Sequence, residues 1–139
     1  MRASSTVLAV AVLAACVSPS DPPHAEEAEP VEPFELQVGQ ERQAGEALTV
    51  RFAAVIGDSR CPSDVTCIWA GDAEIEVVLS KGDGQQSLRL HTHGGDRYPR
   101  SARAFGYSLE LQKLEPYPVS TRELAPEDYV ATLLLTPGE

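Results

Sequence analysis

The chain of 139 residues carries 21 acidic and 11 basic side chains, which gives a net charge of −10 at pH 7. Nucleic acids and anionic membrane surfaces are bound through basic patches, so this balance excludes nucleic acid and a charged membrane surface as principal partners. The length suits one domain with a modest core rather than two domains.

The first sixteen residues have the pattern of an export signal. Arg2 supplies one positive charge, an apolar run of nine residues spans Val7 to Ala15, and Cys16 follows directly. That run is too short for a permanent membrane span, which needs roughly 20 residues. Leu13-Ala14-Ala15-Cys16 resembles the lipobox of bacterial lipoproteins, in which the cysteine is acylated after cleavage. The resemblance implies a signal peptide at 1–15 and an acyl group such as palmitate on Cys16 that anchors the protein in a membrane.

Residues 16–33 comprise this cysteine and a spacer. The spacer, 17–33, holds five prolines, five carboxylates and no lysine or arginine. Such a composition predicts a disordered acidic tether, which at about 3.1 Å per residue reaches on the order of 50 Å. Val17 stands where an aspartate would resemble an inner-membrane retention signal. In a cell with two membranes this favours the periplasmic face of the outer membrane.

From residue 34 the apolar residues alternate with polar ones, which indicates half-buried strands. The expected strands lie at 34–38, 48–56, 74–79, 88–91, 105–112 and 129–135. Three leucines in the last run predict burial on both faces, and Lys81-Gly82-Asp83-Gly84 predicts a hairpin turn. No segment has the apolar period of a helix. The fold predicted for 34–139 is therefore all-β: a single antiparallel β-sandwich, or a small barrel, of about six to eight strands.

Three cysteines in an exported chain leave one unpaired. With Cys16 acylated, Cys61 and Cys67 are expected to form a disulfide in an oxidising compartment. Trp69 follows this bridge, and its ring is expected to cover the sulfurs and close one end of the core. The alternative is a recognition loop in which Arg60 and Trp69 are partially exposed interaction residues.

The strings Asp58-Ser59-Arg60-Cys61-Pro62 and Cys67-Ile68-Trp69-Ala70-Gly71 resemble a motif of small bacterial lipoproteins and exported proteins of uncharacterised function. Leu114-Glu115-Pro116-Tyr117-Pro118 and Asp128-Tyr129 are similar to later landmarks of the same proteins. The resemblance covers most of residues 34–136. It implies a shared β domain and no activity.

His91 and His93 lie on one face of a predicted strand end. Two imidazoles at this spacing can begin a Zn or Cu site, with Asp96 as a third ligand. Arg89 and Arg97 nearby disfavour a cation, and the alternative is a pair of solvated histidines.

No catalytic motif or phosphate-binding glycine loop is present. The sequence thus predicts no cofactor and a non-enzymatic, lipid-anchored binding or interaction module of the bacterial envelope. Its expected partners are the membrane, through the lipid, and an unidentified envelope protein or ligand. The alternatives are a metal-binding periplasmic lipoprotein that uses His91 and His93, and a hydrolase with acidic residues.

Overall fold

The computed structural model describes residues 32–138. The predicted signal peptide, Cys16 and nearly all of the predicted tether lie outside the described residues. Within 32–138, no helix has the length and apolar character needed to cross a membrane.

Eight strands and one 3₁₀ turn make up the described domain. In chain order they are β1 (Phe34–Gln37), β2 (Glu41–Gln43), β3 (Leu48–Asp58), β4 (Ala73–Lys81), β5 (Gly84–His91), β6 (Ser101–Ala104), β7 (Tyr107–Glu115), the 3₁₀ helix (Pro126–Asp128) and β8 (Val130–Pro137). They form two four-stranded sheets, ordered β1-β8-β7-β6 and β2-β3-β4-β5. Every pairing is antiparallel. The predicted all-β antiparallel architecture is confirmed as two packed sheets.

The core lies between the sheets, because successive side chains of a strand point to opposite faces. In β4, Ala73, Ile75, Val77 and Leu79 are fully buried and alternate with partly exposed side chains. Strand β8 alternates in the same way only over its first half, from Val130 to Leu133. Its Leu134 is partly exposed, so the prediction that this strand is buried on both faces is wrong.

Two turns show where the sequence pattern sets the strand ends and where it does not. Lys81 pairs with Gly84 across the β4–β5 turn, and Gly82 has a φ of +57°, which confirms the predicted hairpin. Phe105, predicted within a strand, instead has a φ of +54° and turns the chain from β6 to β7 together with Gly106.

Strands β3, β5 and β7 all end at the same end of the sandwich. Three segments meet there: the β3–β4 connection at 59–72, the β5–β6 connection at 92–100, and the β7–β8 connection at 116–129. We call residues 59–72 the stapled loop and the three segments together the loop end.

Candidate functional site

The stapled loop is closed by the predicted disulfide. Cys61 and Cys67 are bonded, with their Cα atoms 5.9 Å apart. Below the bridge, the amide of Ser59 donates to the carbonyl of Asp72 at 2.7 Å, and the amide of Cys61 donates to the carbonyl of Ala70 at 3.1 Å. The two sides of the loop therefore continue the β3–β4 pairing as far as the bridge, and the loop is a rigid extension of that sheet.

Arg60 anchors the base of this loop from inside the protein. The residue is only 7% exposed. Its Nε and Nη2 donate to the two carboxylate oxygens of Asp58 at 2.8 and 2.7 Å. Nη1 donates to the carbonyl of Leu114 at 2.7 Å, and Nη2 also donates to that of Pro116 at 3.0 Å. The expectation of a partially exposed Arg60 that meets a partner is thus wrong, because the fold itself uses the whole guanidinium.

Two tyrosines complete the surroundings of this ion pair. The hydroxyl of Tyr129 donates to Asp58 Oδ2 at 3.0 Å. The guanidinium carbon of Arg60 lies 4.9 Å from the ring centroid of Tyr117, within range of a cation–π interaction. Burial alone would raise the pKa of Asp58, but hydrogen bonds from Arg60 and its positive charge outweigh burial and hold that pKa below its ordinary value.

Asp72, at the other side of the loop base, is the second carboxylate held by hydrogen bonds. It contacts His91 Nδ1 at 2.6 Å and accepts from the amide of His93 at 2.9 Å and from the Thr92 hydroxyl at 3.2 Å. Burial acts to raise the pKa of Asp72, and the hydrogen bonds from His91 and His93 lower it further than burial raises it. Asp72 therefore ties the stapled loop to the end of β5.

These two carboxylates predict a specific acid sensitivity. Both have a folded-state pKa below the ordinary value of 3.8, so the unfolded chain binds protons more readily than the folded one. The stability they contribute is fully present above that value and is lost as pH falls through the lower folded pKa values. Urea unfolding between pH 6 and pH 2 is expected to show this loss. Asp58→Asn is expected to flatten the curve, whereas the exposed carboxylate variant Glu41→Gln leaves it unchanged; equal slopes in both variants contradict the assignment.

The tip of the loop carries apolar side chains into solvent. Ile68 is 90% exposed and Trp69 is 81% exposed. The prediction that Trp69 closes the core is therefore wrong, because the buried pair of Arg60 and Asp58 occupies the loop base. The alternative prediction, a partially exposed Trp69, is closer to the structure, in which most of this side chain is exposed. Val65 on the opposite side of the bridge is also exposed, so the tip presents an apolar surface.

Contacts to the β7–β8 connection hold the tip in place. Asp64 accepts from the amide of Ser120 at 2.8 Å and also from its hydroxyl. The amide of Ser63 donates to the carbonyl of Pro118 at 3.0 Å. The apolar tip is consequently fixed at both its base and its side.

Removing the disulfide is expected to cost stability without unfolding the domain. A bridge that closes so short a loop contributes about 2 kcal/mol by the chain-entropy model. The Cys61→Ala/Cys67→Ala variant should thus unfold at a lower urea concentration and keep a folded baseline, because Arg60 and Asp64 still hold the loop. A complete loss of the cooperative transition contradicts this prediction, as does an unchanged midpoint.

His91 and His93 each contact the ring of Tyr98 in an edge-on arrangement. The His91 and Tyr98 ring centroids are 5.3 Å apart, and those of His93 and Tyr98 are 6.4 Å apart. Among residues 32–138, no three His, Cys, Asp or Glu side chains are grouped closely enough to hold a metal ion. Asp96 is not brought into a ligand set, so the geometry does not favour the predicted metal site.

Within the described residues, the contact between Asp72 and His91 resembles part of an acid–base site. A carboxylate on one ring nitrogen orients an imidazole for proton transfer. In the described part of the chain, however, no serine, threonine or cysteine side chain is hydrogen-bonded to His91. Within residues 32–138, His91 therefore has no paired side-chain nucleophile, and the alternative of a hydrolase that uses acidic residues stays a prediction.

A cleft lined mainly by polar and charged residues lies beside the stapled loop. There β7 extends beyond Ser101, the first residue of β6. The volume of the cleft is about 430 Å³. Arg60, Arg100 and Lys113 line it, and Glu115 is its one acidic residue among the described lining residues. A second depression, of about 380 Å³, shares Ala70, Gly71 and His93 with the cleft and extends to Trp69 and Tyr98.

The sequence analysis did not identify several residues of this loop end. Asp72 and Arg100 stand outside the motifs quoted above, and the landmark strings that contain Tyr117 and Tyr129 imply no contact of either tyrosine with Asp58 or Arg60. Only Asp58 carried a usable signal, since residues two apart on a strand share a face and a carboxylate there can pair with Arg60.

Neither family models nor curated proteins nor solved structures yield a match to the chain. The loop end itself therefore carries the functional inference.

Proposed function

We propose that this protein is a bacterial envelope lipoprotein whose β domain is a non-enzymatic binding module. The chain supplies an anchor at Cys16, a spacer at 17–33 and a domain at 34–139 that presents the stapled loop. The observation that carries the proposal is the exposure of Ile68 and Trp69 on a loop that a disulfide and hydrogen bonds hold rigid.

Rigid exposure of this kind suits recognition. Tryptophan is enriched among the residues that dominate binding energy at interfaces. A loop already fixed in one conformation loses little entropy when a partner covers it. Neighbouring apolar side chains that are exposed together mark interaction sites, whereas single ones are common on any surface. The tip therefore fits the contact surface of an envelope partner, and the acyl group holds that surface near the membrane.

The anchor is tested by metabolic labelling with palmitate in a bacterial host. The wild-type protein is expected to take up label and fractionate with membranes, and Cys16→Ser is expected to do neither. The periplasmic face of the outer membrane is the expected location in a cell with two membranes. Equal labelling of both proteins contradicts the anchor.

The contact surface is tested by cross-linking and capture from the protein's own membranes. Ile68→Ser/Trp69→Ser is expected to reduce capture of the partner at least tenfold, because it removes the apolar side chains of the proposed contact surface. Both side chains lie outside the core, so the fold should be unaffected. The matched control is Ile56→Ser, which removes an exposed apolar side chain of β3 outside the stapled loop. Urea unfolding of each variant establishes that the fold is intact; capture unchanged by the tip variant contradicts the proposal.

A further inference from the structure

The cleft beside the stapled loop is a basic site on an acidic protein. Acidic residues outnumber basic ones by 21 to 11 in the whole chain. Among the described residues that line the cleft, three are basic and one is acidic. The charged side chains that line the cleft are thus predominantly opposite in sign to the net charge of the chain, an arrangement that favours an anion.

Arg100 is the positive charge in this cleft that no carboxylate of residues 32–138 offsets. Arg60 is paired with Asp58 at 2.7 Å, and Lys113 with Glu115 at 2.8 Å. Within the described residues, Arg100 forms no salt bridge. Its positive charge is consequently available to a ligand.

The same guanidinium is also held in a fixed position. Arg100 Nε donates to the carbonyl of Leu111 at 3.3 Å, and Nη2 donates to that of Gln112 at 3.1 Å. A Cβ on Gly94 would lie 3.0 Å from Arg100 Cδ, so the glycine lets the stem of the arginine pack closely. Nη1 makes no hydrogen bond to the described residues. An arginine held by neutral carbonyls keeps its charge and loses little entropy on binding a carboxylate or phosphate.

The two arginines also exclude one kind of ligand. Beyond Ser101, where β6 begins, the amide of Leu111 in β7 still donates to the carbonyl of Arg100 at 2.8 Å. The rest of this edge of β7 could otherwise accept an added strand, as in many peptide-binding domains. Arg100 takes the carbonyls of Leu111 and Gln112, and Arg60 takes those of Leu114 and Pro116. A peptide strand paired at this edge would lack these acceptors. A peptide that binds by adding a strand to this edge is therefore disfavoured as the ligand.

Exposed aromatic rings border the cleft and its neighbouring depression. Tyr117 lines the cleft, Trp69 and Tyr98 line the depression, and all three are among the exposed large side chains of the described residues. The depression also contains the carboxylate of Asp72, which contacts His91. Thr92 and Gln112 add polar side chains to the cleft. Open surfaces that combine aromatic faces with polar groups suit a sugar ring, which has an apolar face of C–H groups and a rim of hydroxyls.

We propose that this cleft binds an anionic saccharide, with Arg100 contacting its carboxylate or phosphate and the aromatic side chains contacting its rings. The inference deepens the proposed function and rests on it only in taking the domain to be a binding module. Carboxylated and phosphorylated sugars share this chemistry, so the test contains one probe for each.

The experiment is isothermal titration calorimetry of the purified full-length protein with digalacturonate, trehalose 6-phosphate, neutral trehalose and diglutamate. At least one anionic sugar is expected to bind at least tenfold more tightly than trehalose and than diglutamate, and more weakly as salt rises. The tighter of the two anionic probes identifies the charged group. Trp69 is the only tryptophan of the chain, so its fluorescence should change in the same titrations.

Variants locate the site. Arg100→Gln is expected to weaken binding at least tenfold, and Lys113→Gln severalfold. Lys113 has a side chain that is 64% exposed, so its variant stays informative if Arg100→Gln fails to fold. The control is Arg103→Gln, an exposed arginine of β6 outside the lining of the cleft; it should leave affinity unchanged.

Several results overturn the proposal: no binding of either anionic sugar at millimolar concentration, equal binding of trehalose or diglutamate, or unchanged affinity in both cleft variants. None of these affects partner capture through Ile68 and Trp69. The saccharide site can thus fail while the proposed binding module stands.

Discussion

Replacing Gly71 with alanine is expected to destabilise the domain by more than about 4 kcal/mol or to prevent folding. Gly71 has a φ of +71°, and a Cβ there would lie 1.9 Å from the carbonyl oxygen of Ser59. That oxygen belongs to the opposite side of the loop base and cannot move away without breaking the pairing between Ser59 and Asp72. Urea unfolding monitored by circular dichroism measures the loss.

Gly39→Ala separates the steric clash from the backbone strain. Gly39 also has a positive φ, +87°, but a Cβ there would meet nothing within 4 Å. Its replacement should cost only the strain of a left-handed conformation, about 1–2 kcal/mol. Equal losses in the two variants would show that the approach of Gly71 to Ser59 does not limit the loop.

The sequence predicts the strands that bury one face in the core. Apolar and polar residues alternate along β4, β5, most of β7 and the first half of β3, because each buries one face against the opposite sheet. Register shifts after Phe52 end the alternation in β3, so Ile56, expected on the inward face, is exposed. The two strands that the pattern missed bury little. β2 is exposed along its whole length, and β6 buries only Ala104. Hydrogen bonds to a neighbouring strand create both of them, and such bonds leave no trace in a hydrophobic pattern.

At the loop end, the disulfide could be predicted and the exposure of its neighbours could not. General preference buries tryptophan and exposes arginine, and this fold does the reverse at Trp69 and Arg60. The reversal depends on acceptors that are distant in sequence, since Leu114 and Pro116 lie more than fifty residues beyond Arg60. Only the three-dimensional structure reveals that a buried guanidinium has a partner for each of its nitrogens.

Arg60→Met is expected to lower the free energy of unfolding by about 3–5 kcal/mol, the range seen when one partner of a buried ion pair is removed. Both partners are buried here: the side chains of Arg60 and Asp58 are 5% and 8% exposed. Methionine fills similar space but leaves the Asp58 carboxylate without a cation and two backbone carbonyls without a donor. Urea unfolding at pH 7 measures the effect, with Arg103→Met as the exposed control, expected within about 0.5 kcal/mol of the wild type.

Asp58→Leu/Arg60→Met distinguishes a stranded charge from lost packing. If the loss in Arg60→Met comes from the carboxylate left behind, removing the carboxylate as well should restore much of the stability. The Tyr129 hydroxyl and the carbonyls of Leu114 and Pro116 then remain without their partners, so recovery should be incomplete. A double variant as unstable as the sum of the two single variants would mean that the pair contributes through packing alone. In that case the packing of the two side chains, and not their charges, would hold the stapled loop in place.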